Sequence, residues 1–219
     1  MSFSEEGISS GGSKGYAPSL LKNYYGWWSS YQVQEVNGQS ASVSVTYYDK
    51  YNNEYPGYTS FTLPARGYKE VYMGSPSLDD GHYSAVISVI GGSGKIVTAI
   101  HHTNTNVMAA LGYHGFKAGA RDLSLPYPKK NLDGWNASLT IQNVGSVDAD
   151  INIYFYTADG NYDFYPLPTY LQPGRSVELY NEIPSGFFGS VQIHSEGSDI
   201  VVAVHQAHDD GRHFGYSAP

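Results

Sequence analysis

One stretch of this chain is written twice. KNYYGWWSSYQVQEV at 22–36 returns as KNLDGWNASLTIQNV at 130–144, with Lys22/Lys130, Asn23/Asn131, Gly26/Gly134, Trp27/Trp135, Ser30/Ser138, Gln34/Gln142 and Val36/Val144 identical. A copied segment of this length points to a copied folding unit, and any architecture proposed for the chain must hold two similar bodies.

The copy continues beyond its first strand. ASVSVTYY (41–48) faces ADINIYFY (149–156), and in both every second residue is apolar: Ala41, Val43, Val45 and Tyr47 against Ala149, Ile151, Ile153 and Phe155. That period is the mark of a half-buried strand. LPARGYKEVY (63–72) matches LQPGRSVELY (171–180), including Glu70/Glu178 and Tyr72/Tyr180. After that the spacing slips as loops change length: YSAVIS (83–88) meets GSVQIH (189–194), IVTAIHH (96–102) meets IVVAVHQ (200–206), and LGYHG (111–115) meets FGYSA (214–218). Insertions fall in turns, where they cost least.

Each unit reads as about seven short strands, which at this size fits an antiparallel two-sheet sandwich of immunoglobulin-like dimensions, with a barrel as the alternative. The 25 glycines, 11 prolines and 21 tyrosines agree with an all-β chain of turns and pleated surfaces. The division expected is a flexible leader at 1–18, a first sandwich at 19–115, a linker at 116–125 and a second sandwich at 126–219. IVVAVH is apolar on both faces, so it is expected to be covered on both sides, near the junction of the units.

A net charge of −8 argues against nucleic acid or anionic lipid as a partner. With no cysteine there is neither a disulfide framework nor a thiolate metal site. No apolar run approaches the roughly 20 residues of a membrane helix, so no membrane insertion is expected. The opening MSFSEEGISSGGSKG lacks the basic start and apolar middle of a secretion signal and reads as a flexible leader.

The pattern GWNASLTIQNVG, a Val/Ile-rich strand ending in Tyr, IVVAVH and a closing Gly-Tyr resembles tandem β-sandwich repeats of largely uncharacterised bacterial secreted and cell-surface proteins. The resemblance spans residues from about 19 to 218. It implies an extracellular or surface location and a role in adhesion, coating or glycan binding, and it carries no active site. The first copy departs from it with QEVNG where the second has QNVG, which singles out Glu35.

Eight histidines were weighed for chemistry. His101 and His205 occupy equivalent positions, with His102 and His114 near the first and His208 and His213 near the second. His101, His205, His208 and His213 are candidate ligands for zinc or copper, and would give a metal-dependent enzyme as the third functional reading. Against this, only the His101/His205 pair survives the duplication, and structural imidazoles are the expected reading. The carboxylate pairs in LDDGH (78–82) and HDDGR (208–212) are turn chemistry first, and DKYNNEY (49–55) lacks the spacing of a calcium loop. No nucleophile elbow or phosphate-binding loop is present, and no cofactor is expected.

Trp27 and Trp135 read as plugs at the end of a sandwich core, with a ligand platform as the alternative. The tyrosines are the candidate contact surface: Tyr48, Tyr51, Tyr55 and Tyr58 around one hairpin, and Tyr154, Tyr156, Tyr162 and Tyr165 around its counterpart. Alternation sends Val43, Val45 and Tyr47 inward and Tyr48 outward, and likewise Tyr154 and Tyr156 outward. The leading expectation is a non-catalytic binding or adhesion module that meets polysaccharide or a surface protein through these rings. The alternative is a structural subunit that assembles with its own copies through a donated N-terminal strand.

Overall fold

A computed structural model describes residues 10–51 and 53–218. Among these there are sixteen strands and no helix. The first eight are β1 (Lys14–Lys22), β2 (Trp27–Glu35), β3 (Ala41–Asp49), β4 (Glu54–Leu63), β5 (Tyr68–Tyr72), β6 (Gly81–Gly92), β7 (Ile96–Asn104) and β8 (Ala109–His114). They form two antiparallel four-stranded sheets, ordered β1-β6-β3-β4 and β5-β2-β7-β8. The second eight are β9 (Asp122–Leu132), β10 (Trp135–Asn143), β11 (Asp150–Tyr156), β12 (Tyr162–Pro166), β13 (Ser176–Leu179), β14 (Phe187–Glu196), β15 (Ile200–His208) and β16 (His213–Ala218). Their pairings follow the same order, β9-β14-β11-β12 and β13-β10-β15-β16. Here β9 also pairs with β10 at its far end, so the strands make one eight-stranded sheet. Eight strands therefore fall in each half where the sequence suggests about seven; the extra one is the opening strand, β1 or β9.

The doubled KNxxGW motif is a turn. In the first copy Tyr24 and Trp27 exchange backbone hydrogen bonds around Tyr25 and Gly26, whose φ values are 51° and 79°. In the second, Asp133 and Gly134 sit at 49° and 77° between Leu132 and Trp135. Two successive left-handed residues make the type I′ connection that matches strand twist, for which Asp-Gly is the preferred sequence. Tyr-Gly is a costlier way to write it, because a Cβ crowds the following carbonyl in that region.

Alternation builds the cores. Val43, Val45 and Tyr47 on β3 face Tyr31 and Val33 on β2, and Ile151, Ile153 and Phe155 on β11 face Leu139 and Ile141 on β10. The closing Gly-Tyr of each half has a definite task. Tyr113 donates its hydroxyl to Ser19 O (2.5 Å) and accepts from Ser19 N (3.0 Å), and Tyr216 donates to Pro126 O (2.5 Å). Each ties the last strand to an irregularity in the first, where β1 slips between Ala17 and Leu20 and β9 slips around Pro126. A Cβ on Gly215 would lie 3.2 Å from Gly112 O, so the two Gly-Tyr strands cross at close range.

The halves share a boundary rather than a tether. Ile200, Val202 and Val204 of β15 enter the second core while Val201 and Ala203 enter the first, so IVVAVH is covered on both faces. Gln142 Nε2 donates to Ala85 O (3.1 Å) and to Gly174 O (2.9 Å), which also accepts from Ser84 Oγ (2.9 Å). The segment 116–125 differs from the linker expected: Phe116 is in the first core and pairs with Tyr16, Ala120 pairs with Ile200, and β9 begins at Asp122. Of the leader 1–18, residues 1–9 lie outside the described residues, Gly12 pairs with Ile96, and β1 begins at Lys14. Glycine content masked that strand in the sequence.

Candidate functional site

Where the halves meet, four strands and one turn converge. His82 comes from the start of β6, His102 from the end of β7, His205 from β15 and Glu178 from β13, while Tyr24 and Tyr25 come from the type I′ turn. Tyr24 donates its hydroxyl to Glu178 Oε2 (3.2 Å), and His82 Nδ1 lies 3.4 Å from the same oxygen. The rings of His102 and His205 meet edge to face at 4.7 Å. The site uses Glu178 of the second half, whereas its counterpart Glu70 stands exposed on β5.

These groups bound a cleft of about 680 Å³, walled on one side by Tyr24, Tyr25 and Trp27 and on the other by Glu178, Tyr180 and His205. Several polar atoms in its lining are buried without a protein partner: His102 Nε2, His205 Nε2, Asn136 Oδ1 and His213 Nδ1. His102 is 0% exposed. Its Nδ1 lies 2.7 Å from Ser29 Oγ, which accepts from Leu21 N (2.6 Å). The arrangement that satisfies all three groups has the serine donating to Nδ1, which leaves the imidazole proton on the unpartnered Nε2. Burying such groups without partners costs of order 1–3 kcal/mol each.

The electrostatics lean one way. Burial holds His102 well below the ordinary histidine range, and His205 down to about 4, with His82 adding to the shift and Glu178 opposing it. Both imidazoles are neutral at neutral pH. Burial works to raise the Glu178 carboxyl, but the hydrogen bond and charge of His82 and the Tyr24 hydroxyl bring it below the usual range. The lining carries two carboxylates, Glu178 and Glu182, and neither Lys nor Arg. Behind the lining, Lys130 Nζ lies 2.9 Å from the Tyr180 ring centroid. Burial lowers this lysine to about 8, against the pull of Glu182 and Glu178.

Of the candidate metal ligands, only His205 and His213 line the cleft. His101 is exposed, and His208 packs on Trp135 at 4.8 Å with Nδ1 2.8 Å from Asp210. Among the described residues no three His, Asp or Glu side chains are disposed to hold a metal ion. His102, not His101, is the partner of His205: the equivalent pair in sequence is not the pair in space, because the halves pack asymmetrically. The carboxylates of the turns are locally engaged. Asp49 accepts from Tyr51 N, Asn53 N, Asn53 Nδ2 and Tyr55 Oη, and Asp210 pairs with Arg212 at 2.8 Å. Glu35 is a turn organiser: its carboxylate accepts from the backbone N–H of Asn37, Gly38, Arg66 and Lys95.

The eight tyrosines divide. Tyr51, Tyr58 and Tyr162 are exposed, Tyr55 and Tyr165 are half-buried, and Tyr154 and Tyr156 stack with Tyr162 and Phe164 on the outer face of β11 and β12. Tyr48 is the exception to the outward reading. Gly174 sits against its ring and the Arg175 guanidinium lies 5.5 Å from its centroid, so the second half covers it. Trp27 is half-buried at the cleft beside His213 (5.2 Å), and Trp135 is half-buried against His208 and Phe214, so neither fills a core.

No family model matches the chain, and no curated protein does. Among solved structures, that of Thermotoga maritima 1070 is similar over 46% of this chain and 91% of that one, at 21% identity and a TM-score of 0.38. The N-terminal CBM22-1-CBM22-2 tandem domain from Paenibacillus barcinonensis Xyn10C is similar over 81% of this chain and 72% of that one, at 8% identity and a TM-score of 0.23. Likenesses this distant carry no functional inference.

Proposed function

We propose that the chain is a non-catalytic binding module, derived by internal duplication of one β-sandwich, whose ligand is a saccharide seated in the cleft between the halves. The observation that carries this reading is one concavity lined both by the rings of Tyr25, Trp27 and Tyr180 and by the polar side chains of Asn136, Ser138, Asn181 and Glu182. Aromatic faces stack on the apolar faces of pyranose rings, and fixed polar atoms set orientation through the hydroxyls. The Asn181 amide offers donor and acceptor, the Ser138 hydroxyl either, and Glu182 acceptors, the mixture that hydroxyl groups satisfy. An extracellular or cell-surface setting accords with the resemblance of the doubled motif to secreted tandem repeats.

A second reading is favoured by the ring cluster Tyr154, Tyr156, Tyr162 and Phe164, whose centroids lie 5.1–6.4 Å apart and which could take an extended polysaccharide or surface protein. A glycan array with the parent, a cleft-filling Ser138→Trp variant and a Tyr154→Ala/Tyr162→Ala variant separates the two. The cleft reading requires that Ser138→Trp abolish binding while the tyrosine variant retains it. The reverse result moves the ligand to the ring cluster, and a parent blank on every glycan rejects both.

A further inference from the structure

The charge of the cleft says more about its ligand than its shape does. Glu178 and Glu182 are in the lining, which holds no Lys or Arg, Lys130 stands behind the Tyr180 ring, and the imidazoles of His102 and His205 are neutral. A uronate or sulfated sugar would bring a second negative charge against two carboxylates in a partly desolvated site, where repulsion is strong. A neutral sugar would add nothing to the partners the carboxylates already have, His82 and the Tyr24 hydroxyl at Glu178 and Tyr180 N at Glu182. Aromatic walls with carboxylates among them are the chemistry that receives an ammonium group, through ring faces and charge-assisted hydrogen bonds together. Lys130, with its Nζ on the face of Tyr180, displays that interaction at the edge of the same site.

The surroundings extend the trend. A neighbouring hollow of about 240 Å³ shares Tyr24 and Tyr25 with the cleft and is lined by Asp49, Asp79 and Asp80 against one Lys50. His82, 7% exposed and with Nε2 unpartnered, lines this hollow while its Nδ1 faces Glu178 in the cleft. Tyr25, which stands between the two concavities, is 83% exposed and left-handed, so its ring is held out at a backbone cost that the Asp133 copy avoids.

We infer that the cleft selects a saccharide unit carrying a free amine, received as the ammonium by Glu178 and Glu182 against the faces of Tyr24, Tyr25 and Trp27. The inference rests on the cleft being the saccharide seat. Calorimetric titration at about pH 6, where a sugar amine is protonated and His205, at about 4, is still neutral, tests it with three probes: the β-1,4-linked glucosamine trimer, its N-acetylated counterpart and the glucose trimer. The glucosamine trimer is expected to bind at least about tenfold more tightly than either other probe, and the preference to shrink as salt is raised. Glu182→Gln, which alters a carboxylate at the cleft edge, and Glu178→Gln, checked for an intact thermal transition, are each expected to weaken binding of the glucosamine trimer several-fold more than that of the acetylated trimer, and so to reduce the preference. If the three trimers bind alike, or the acetylated one binds best, and Ser138→Trp removes that binding, the amine selection is wrong and the saccharide seat stands. If none of the three binds, or binding survives Ser138→Trp, the seat itself falls with it.

Discussion

Strands β7 and β15 occupy the same place in the two halves and have different surroundings. On β7, Ile96, Thr98 and Ile100 are buried while Val97 and Ala99 are only half covered and His101 is exposed; on β15 both faces are buried as far as Val204. The same contrast separates Gln34, exposed, from Gln142, 0% exposed and bonded across the boundary. The repeated motifs give the sequence a twofold character that the surroundings of the two halves lack. Packing one copy's face against the other consumes that face once, and the remaining copy keeps it open. The cleft, lined by Tyr24 and His102 of one half with His205 and Glu178 of the other, is a product of that asymmetry.

The contrast is open to direct attack. The largest effect is expected from Ala203→Glu, which places a charge between two cores and should cost several kcal/mol, abolishing the cooperative thermal transition, whereas the equivalent Ala99→Glu should leave it nearly in place. Equal losses would mean that β7 is covered too. Next, Gln142→Ala removes the donor to Ala85 O and should cost about 1–3 kcal/mol in denaturant midpoint, while Gln34→Ala stays within about 0.5 kcal/mol. Tyr48→Ala should cost about 1–2 kcal/mol because its ring is wedged on Gly174 and Arg175, more than Tyr156→Ala at under about 1 kcal/mol; the order reverses if Tyr48 faces solvent. Tyr25→Asn is expected to stabilise by about 0.5–1 kcal/mol by relieving a left-handed aromatic, and to weaken ligand binding as it does so.

Smallest at neutral pH, and visible only in acid, is the titration of Glu35. Burial would raise this carboxyl, but the N–H groups of Arg66, Asn37 and Lys95 hold it down to about 2, against an ordinary value of 4.5. A depressed folded value means that its contribution is complete above 4.5 and fades as pH falls toward 2. Asn143, its counterpart, has no such dependence: it donates to Val147 O and Leu171 O and accepts from Gly145 N. Melting curves of the parent and Glu35→Gln should therefore differ less at pH 2 than at pH 6, and a constant gap would remove the carboxylate from the explanation.

Much of the architecture was legible because side-chain period is a local property. Val43, Val45, Tyr47, Ile151, Ile153 and Phe155 are buried as their alternation requires, and the doubled turn lies where Gly26 and Gly134 place it. The first strand of each half was not legible: KGYAPSLLK mixes Gly, Pro and Ser with apolar residues, and its partner β6 lies far along the chain, from Lys22 opposite Gly81 to Lys14 opposite Ser88. The site was half legible. Glu178 was marked by its likeness to Glu70, and His205 by its likeness to His101, but no repeat relates His82, His102 and Tyr24 to them. That relation is made only by the packing of one half on the other, which no local pattern encodes. The reading of Tyr48 as exposed failed for the same reason.

Strand β9 runs from β14 to β10 and so stitches the second half into one ladder, while in the first half the sheets β1-β6-β3-β4 and β5-β2-β7-β8 stay separate ladders, joined at the Tyr24–Trp27 turn. Backbone pairs nonetheless pin the sheets of each half to one another, Gly12–Ile96, Tyr16–Phe116 and Tyr24–Trp27 in the first and Ala120–Ile200 with the β9–β10 pairs in the second. Neither half can part its sheets without rupturing backbone hydrogen bonds, so sub-global opening is costly on both sides of the cleft, and amide protons of β1 and β2 should exchange with solvent no sooner than those of β9 and β10. Both walls, His205, Asn136 and Glu178 on one half and Tyr24, Tyr25 and Trp27 on the other, then meet whatever enters between them already in place.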